Sequence, residues 1–93
     1  MSVKVNIYGT DYPVKGDADP GYIEEVASYV DGKMREVARN LTVKATTMVA
    51  VMAALNITDE LFEARQALAR REAELERELE RLAEKARQGV LAG

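Results

Sequence analysis

Residues 61–82 read LFEARQALARREAELERELERL, and Leu61, Leu68, Leu75 and Leu82 recur in them at an unbroken seven-residue interval. On a helix, a seven-residue leucine repeat makes a stripe that drifts only slowly around the axis, so it can bury against another helix. No Gly or Pro stands between Val43 and Gln88. If that whole stretch is one helix, it extends roughly 70 Å at about 1.5 Å per residue. A globule of 93 residues is far narrower than that. The stripe must therefore be covered by a second copy of the chain or by a different partner. Association is the first functional property the sequence predicts.

The residues beside the leucines agree with a coiled-coil seam. Leu79 and Ala86 occupy its second position, while Arg65 and Glu72 stand at the equivalent places upstream. Polar groups in a seam lower stability and help to fix register and orientation. Glu72, Glu76, Glu80 and Glu84 form an acidic row, and Arg77, Arg81 and Lys85 a basic one. Opposite charges meet at i,i+3, as in Glu74–Arg77, Glu78–Arg81 and Glu84–Arg87. Such pairs are worth only a few tenths of a kcal/mol within one helix. Single-sign rows gain more from an opposite row on a partner helix, although a solvated face also carries such charge.

Upstream of the repeat, Val49, Ala50, Val51, Met52, Ala53, Ala54, Leu55, Ile57, Leu61 and Phe62 place apolar side chains around most of the helix. A helix apolar on most sides is buried on most sides. This part is expected at the centre of a head, between subunits, with Asn56 as a buried amide holding a specified partner. The long helix is expected to begin near Val43 and to end at Gly89. The chain accordingly divides into residues 1–44, a β-hairpin and first helix, and residues 45–93. Within the latter, 45–62 lie in the head and dimer, 63–88 form the coiled coil, and 89–93 are a frayed tail.

The N-terminal part has strand periodicity. Val3, Val5 and Ile7 alternate with Lys4, Asn6 and Tyr8, the period-two pattern of a half-buried strand. Gly9-Thr10-Asp11 reads as a turn and Tyr12-Pro13-Val14 as a short return strand, at an edge because Pro13 lacks a ladder donor. Asp19-Pro20 reads as an N-cap followed by proline at the first helical position. Ile23, Val26, Ala27, Val30, Met34, Val37 and Ala38 follow at helical spacing, with Gly32 marking a close approach by another backbone. Asn40-Leu41-Thr42 breaks the pattern. The fold class is α+β: a short N-terminal hairpin plus helix as a head, then one long C-terminal helix forming an intermolecular coiled coil.

Composition narrows the chemistry. There are no cysteines and no histidines, which removes thiolate metal sites, disulfides and the commonest general base. The paired carboxylates Glu24–Glu25 and Asp59–Glu60 read as helix-start or solvated residues. Catalytic carboxylates need a desolvating cleft or a close charged neighbour to shift their pKa. No phosphate loop is present, since Tyr8-Gly9-Thr10 is only a turn. A net charge of −3 argues against nucleic acid as the main ligand. No leader and no segment of about 18 uncharged apolar residues is seen, so a soluble cytoplasmic protein without membrane insertion is expected. No enzymatic activity, cofactor, metal or small-molecule substrate is expected. Lys33, Arg35, Arg39 and Lys44 crowd the end of the first helix and the loop after it. They either complement the helix dipole or form a docking patch for an acidic protein partner, which salt would weaken.

Val5-Asn6-Ile7-Tyr8-Gly9 with Tyr12, the run Val26 to Val37 (VASYVDGKMREV), and Ala53-Ala54-Leu55-Asn56-Ile57 followed by Glu60-Leu61 together resemble the ZapA family. These are bacterial cell-division proteins associated with the FtsZ ring. The resemblance covers nearly the whole chain in order. It implies dimers joined through heads and helices, paired by an antiparallel coiled coil into a dumbbell-like tetramer. It also implies FtsZ, a tubulin-like GTPase, as partner, whose filaments are crosslinked at the mid-cell division ring. By position, Ile57, Leu61 and Leu68 belong to subunit contacts, with Phe62 beside them, and Leu75, Leu79 and Leu82 to the tetramer coil. In the family, filament binding is attributed to charged residues of the head. Thr10 and Pro13 are uncharged here where some members are basic, so Arg35, Arg39 and Lys44 are the candidates. The competing readings are a generic homo-oligomeric coiled-coil adaptor or chaperone for another client, and a small hydrolase or nucleotide-binding protein.

Overall fold

The computed structural model describes residues 2–42 and 45–92. Four elements follow one another: β1 (Ser2–Ile7), β2 (Thr10–Lys15), α1 (Pro20–Arg39) and α2 (Thr46–Ala92). Two compact units are distinguished, Met1–Thr58 and Asp59–Gly93, so the first unit takes in the start of α2.

In the first unit, β1 and β2 pair antiparallel, with Val3 facing Val14, Lys4 facing Pro13, Val5 facing Tyr12 and Ile7 facing Thr10. This leaves Tyr8 and Gly9 as a two-residue loop. Both have positive φ, 51° and 85°, as the tight hairpin turn that matches strand twist requires. Sequence alternation puts the turn at Gly9-Thr10-Asp11 and Tyr8 on the strand's outer face. Instead Tyr8 sits in the turn and packs against the core. Cross-strand partners share a face, so Val3, Val5, Ile7, Tyr12 and Val14 line one side. On the other side Asn6 Nδ2 donates to Asp11 Oδ1 at 2.9 Å.

Helix α1 begins where local chemistry dictates. Asp19 Oδ2 accepts from the backbone N–H groups of Gly21 (3.0 Å) and Tyr22 (3.3 Å), with Pro20 in the first turn, where a missing N–H costs nothing. At the other end the Asn40 N–H is accepted by the carbonyls of Val37 and Ala38. The core joins the last turns of α1 to the first turns of α2. Met34, Val37 and Ala38 pack with Val49 and Ala53, flanked by Ile7, Tyr8, Val30 and Leu41. Val49 is completely buried. The i,i+3,i+4 spacing on α1 and i,i+4 on α2 is what brings two helical faces together.

Beyond Val49 and Ala53, the apolar start of α2 is uncovered in the single chain: Met48, Val51, Met52 and Leu55 are exposed. Asn56 is exposed as well in the single chain. Gly32 likewise has open space beside it, with nothing within 4 Å of a Cβ placed there. The expected start of the second helix at Val43 lies outside the described residues; the first described turn has the Val49 N–H bonded to the Ala45 carbonyl at 3.0 Å. Gly89 does not end the helix, which continues to Ala92. A glycine inside a helix costs about 1 kcal/mol relative to alanine, which is no stop by itself.

The second unit is the remainder of α2. Its ion pairs run i,i+3: Arg81 with Glu78 and Arg87 with Glu84. Glu74 reaches back to Arg71 at 3.7 Å rather than forward to Arg77.

Candidate oligomer and filament-binding surfaces

The seam residues of the second unit are all open to solvent. Leu61, Leu68, Leu75, Leu79 and Leu82 keep between 46% and 66% of their surface accessible. Fully burying a leucine is worth about 1.5–3 kcal/mol, so a stripe of this length holds several kcal/mol available only through association. Phe62 is also exposed, with the Arg65 guanidinium 5.9 Å from its ring centre. Ile57, in the first unit, is half-buried. It lines a shallow apolar hollow with Tyr22, Val26, Tyr29 and Val30. A second apolar hollow lies between the hairpin and α1, lined by Val5, Ile7, Val14, Ile23, Val26 and Ala27 among others. The sequence reading does not assign Tyr22, Val26 or Tyr29 to an interface, although their i,i+4 and i,i+3 spacing along α1 marks a common face.

Among the basic candidates, Arg35 and Arg39 sit one turn apart on α1 and both are exposed. Lys44 lies outside the described residues. Arg35 is already engaged: its Nε donates to Asp31 Oδ2 at 2.9 Å. The other oxygen, Asp31 Oδ1, accepts the backbone N–H of Tyr8 at 2.7 Å. Arg35 first, then the Tyr8 N–H, hold the Asp31 carboxyl below its ordinary value, since both favour the charged form. Asp31 reciprocally raises the Arg35 guanidinium. Lys33 pairs with Glu36 at 3.6 Å and lies 5.4 Å over the Tyr29 ring. The patch is thus partly neutralised, with Arg39 at the last turn of α1, where a cation also complements the helix dipole.

The Asp31 tether has little signature in the sequence. The one available signal is a carboxylate four residues before Arg35 on a helix expected to pack against the hairpin.

Among the described residues, no group of three or more acidic side chains is placed to hold a metal. No described helix is long and apolar enough to cross a membrane.

A hairpin-and-helix head followed by a long helix with an uncovered heptad seam defines an α+β protein of coiled-coil type. A family model described as Cell division protein ZapA matches residues 3–86, and the chain belongs to that family. It is 38% identical over 76 residues to a cell division protein ZapA of Geobacillus thermodenitrificans, covering 82% of this chain and 84% of that protein. It is 44% identical over 57 residues to one from Halalkalibacterium halodurans, covering 61% of this chain and 63% of that protein. Among solved structures it resembles an unknown conserved bacterial protein from Pseudomonas aeruginosa PAO1. The TM-score there is 0.75 at 31% identity, over 94% of this chain and 97% of that one. A ZapA mutant dimer from Geobacillus stearothermophilus gives 0.63 at 32% identity, over 82% and 88%.

Proposed function

We propose that this chain is a non-enzymatic, cytoplasmic crosslinker of FtsZ filaments at the mid-cell division ring, acting as a homodimer that pairs into a homotetramer. The observation that carries the reading is the leucine seam of α2, apolar at heptad spacing and uncovered in one copy. Family membership supplies the context of cell division. An assembly with filament-binding heads at two ends grips two filaments at once. Two weak contacts joined by a stiff spacer bind far more tightly than either alone, and the spacer sets filament separation. Arg35, Arg39 and Lys44 are the residues assigned to the filament contact. In support, Arg35 and Arg39 share an exposed face of α1, and Arg39 makes no ion pair among the described residues.

Light scattering and low-speed sedimentation of FtsZ with GTP, with and without the chain, test this reading. Bundling is expected at low salt and should weaken as salt rises, as charge-dependent contacts do. No bundling at low salt, or bundling with a different client only, overturns it.

A further inference from the structure

β1 has a free edge. From the closing pair Ile7–Thr10, bonded and non-bonded pairs alternate along an antiparallel ladder. Ser2, Lys4 and Asn6 therefore fall in non-bonded pairs, and their N–H and C=O groups point away from β2. The sheet has no third strand on that side. Among the described residues, no backbone bond outside the ladder reaches these three. Just beyond the strand, Asp31 Oδ1 takes the Tyr8 N–H at 2.7 Å, so α1 closes the turn end and leaves the rest open.

Beside the open part is a hollow of about 300 Å³. Lys4, Val5 and Asn6 border it on the strand, and Glu24, Ala27, Ser28 and Asp31 on α1. Val5 is buried toward α1, and alternation sends the Lys4 and Asn6 side chains to the solvent face. These two thus present backbone to the hollow. Ala27 is a small, buried floor, while Glu24 and Ser28 are exposed beside it. Asp31 is matched by Arg35. Glu24 makes no ion pair among the described residues.

We propose that this edge receives an extended segment of a partner protein as a third strand, with a basic side chain of the segment set toward Glu24. Backbone bonds to Ser2, Lys4 and Asn6 supply the hold, and alternate side chains supply the selection. On the solvent face the segment places an acidic side chain beside Lys4, as favourable cross-strand pairs require. A second copy of this chain fits less well. Its β1, added about a two-fold axis, keeps the same face toward the helix. It would set Val3 and Val5 over Glu24 and, centred on the edge, Lys4 against Lys4. The inference goes beyond the crosslinker reading, whose assigned contact is the basic end of α1.

Two capped peptides probe the edge, TREVERT and TEKVKET in one-letter code. Both are neutral and palindromic, so either strand direction presents the same side chains. With valine toward α1, the first turns its arginines to the Glu24 side and its glutamates to the Lys4 side. The second reverses every charge. Fluorescence anisotropy with the full chain should show the first binding about tenfold tighter than the second. Glu24→Lys, at an exposed position, should cut that ratio to about threefold or less. Amide hydrogen exchange followed by NMR should show Lys4 and Asn6 slowed by the first peptide, with Val3, Val5 and Ile7 already slow in the ladder. Equal binding of the two peptides, or no binding of either at millimolar concentration, overturns the proposal. Binding that leaves the Lys4 and Asn6 amides exchanging freely does so too. Slow exchange of those amides in the chain alone would mean that a second copy already holds the edge, and also overturns it. None of these outcomes bears on filament bundling, so the crosslinker reading stands or falls separately.

Discussion

The backbone N–H of Tyr8 donates to Asp31 Oδ1 at 2.7 Å across twenty-three positions of sequence. It fastens the hairpin turn to the middle of α1. Tyr8 holds a φ of 51°, uncommon for a bulky residue, and the bond gives its donor a fixed acceptor. The same carboxylate accepts from Arg35, so one side chain ties a turn and a helix face together.

Removing that carboxylate should loosen the head. Asp31→Ala leaves a part-buried N–H unpaired, which costs about 1–3 kcal/mol. Asp31→Asn keeps an acceptor for Tyr8 and should lose less. Urea unfolding at fixed chain concentration checks the order; equal stability of the wild type and the alanine variant would contradict it.

The tether has a pH signature. The folded pKa of Asp31 lies below its ordinary value of 3.8, mainly through Arg35 and then the Tyr8 N–H. A depressed carboxylate contributes stability that is present above the ordinary value and lost as pH falls through the folded one. The stability gap between wild type and Asp31→Asn should therefore hold near neutrality and close progressively as the pH falls below 3.8 and through the lower folded value. A gap that stays constant as the carboxylate is protonated in acid would show that the charge plays no part.

Val49 is the completely buried side chain at the meeting of α1 and α2. Val49→Ala removes methyl groups and leaves a void, at about 2 kcal/mol. Calorimetry at matched concentration should show a lower Tm. An unchanged Tm would mean that the site collapses around alanine.

Leu75→Glu with Leu82→Glu puts four carboxylates where two copies are proposed to meet. Analytical ultracentrifugation should find tetramers for the wild type and dimers for the variant, with the far-ultraviolet helix signal retained. Equal masses would remove these residues from the tetramer contact.

Several features are legible because they depend on neighbours in sequence. Asp19 and Pro20 mark the start of α1 through a capping bond and a fixed φ, and the heptad leucines mark α2 through periodicity alone. The turn lies one residue earlier than expected because its position depends on which residue adopts positive φ, and tyrosine gives little hint of that. The burial expected for residues 49–62 holds within one chain only at Val49 and Ala53 and, in part, at Ile57. Sequence reports that a side chain is apolar, not which copy covers it. Asn56 stands exposed for the same reason. The Asp31–Tyr8 bond is invisible at that level because a long-range contact leaves no local pattern.

Pro13 faces Lys4 in the hairpin. Counting from the closing pair Ile7–Thr10, alternation of bonded and non-bonded pairs makes Lys4–Pro13 a non-bonded one, so the imino nitrogen points away from β1. The inner ladder loses nothing, while the outer rim of β2 lacks a donor at its middle. A foreign strand therefore finds no complete rail to zip onto along that rim. Molecules rich in unpaired backbone are prone to fuse into fibres, and a single ring-closed residue interrupts the rim along which that would begin.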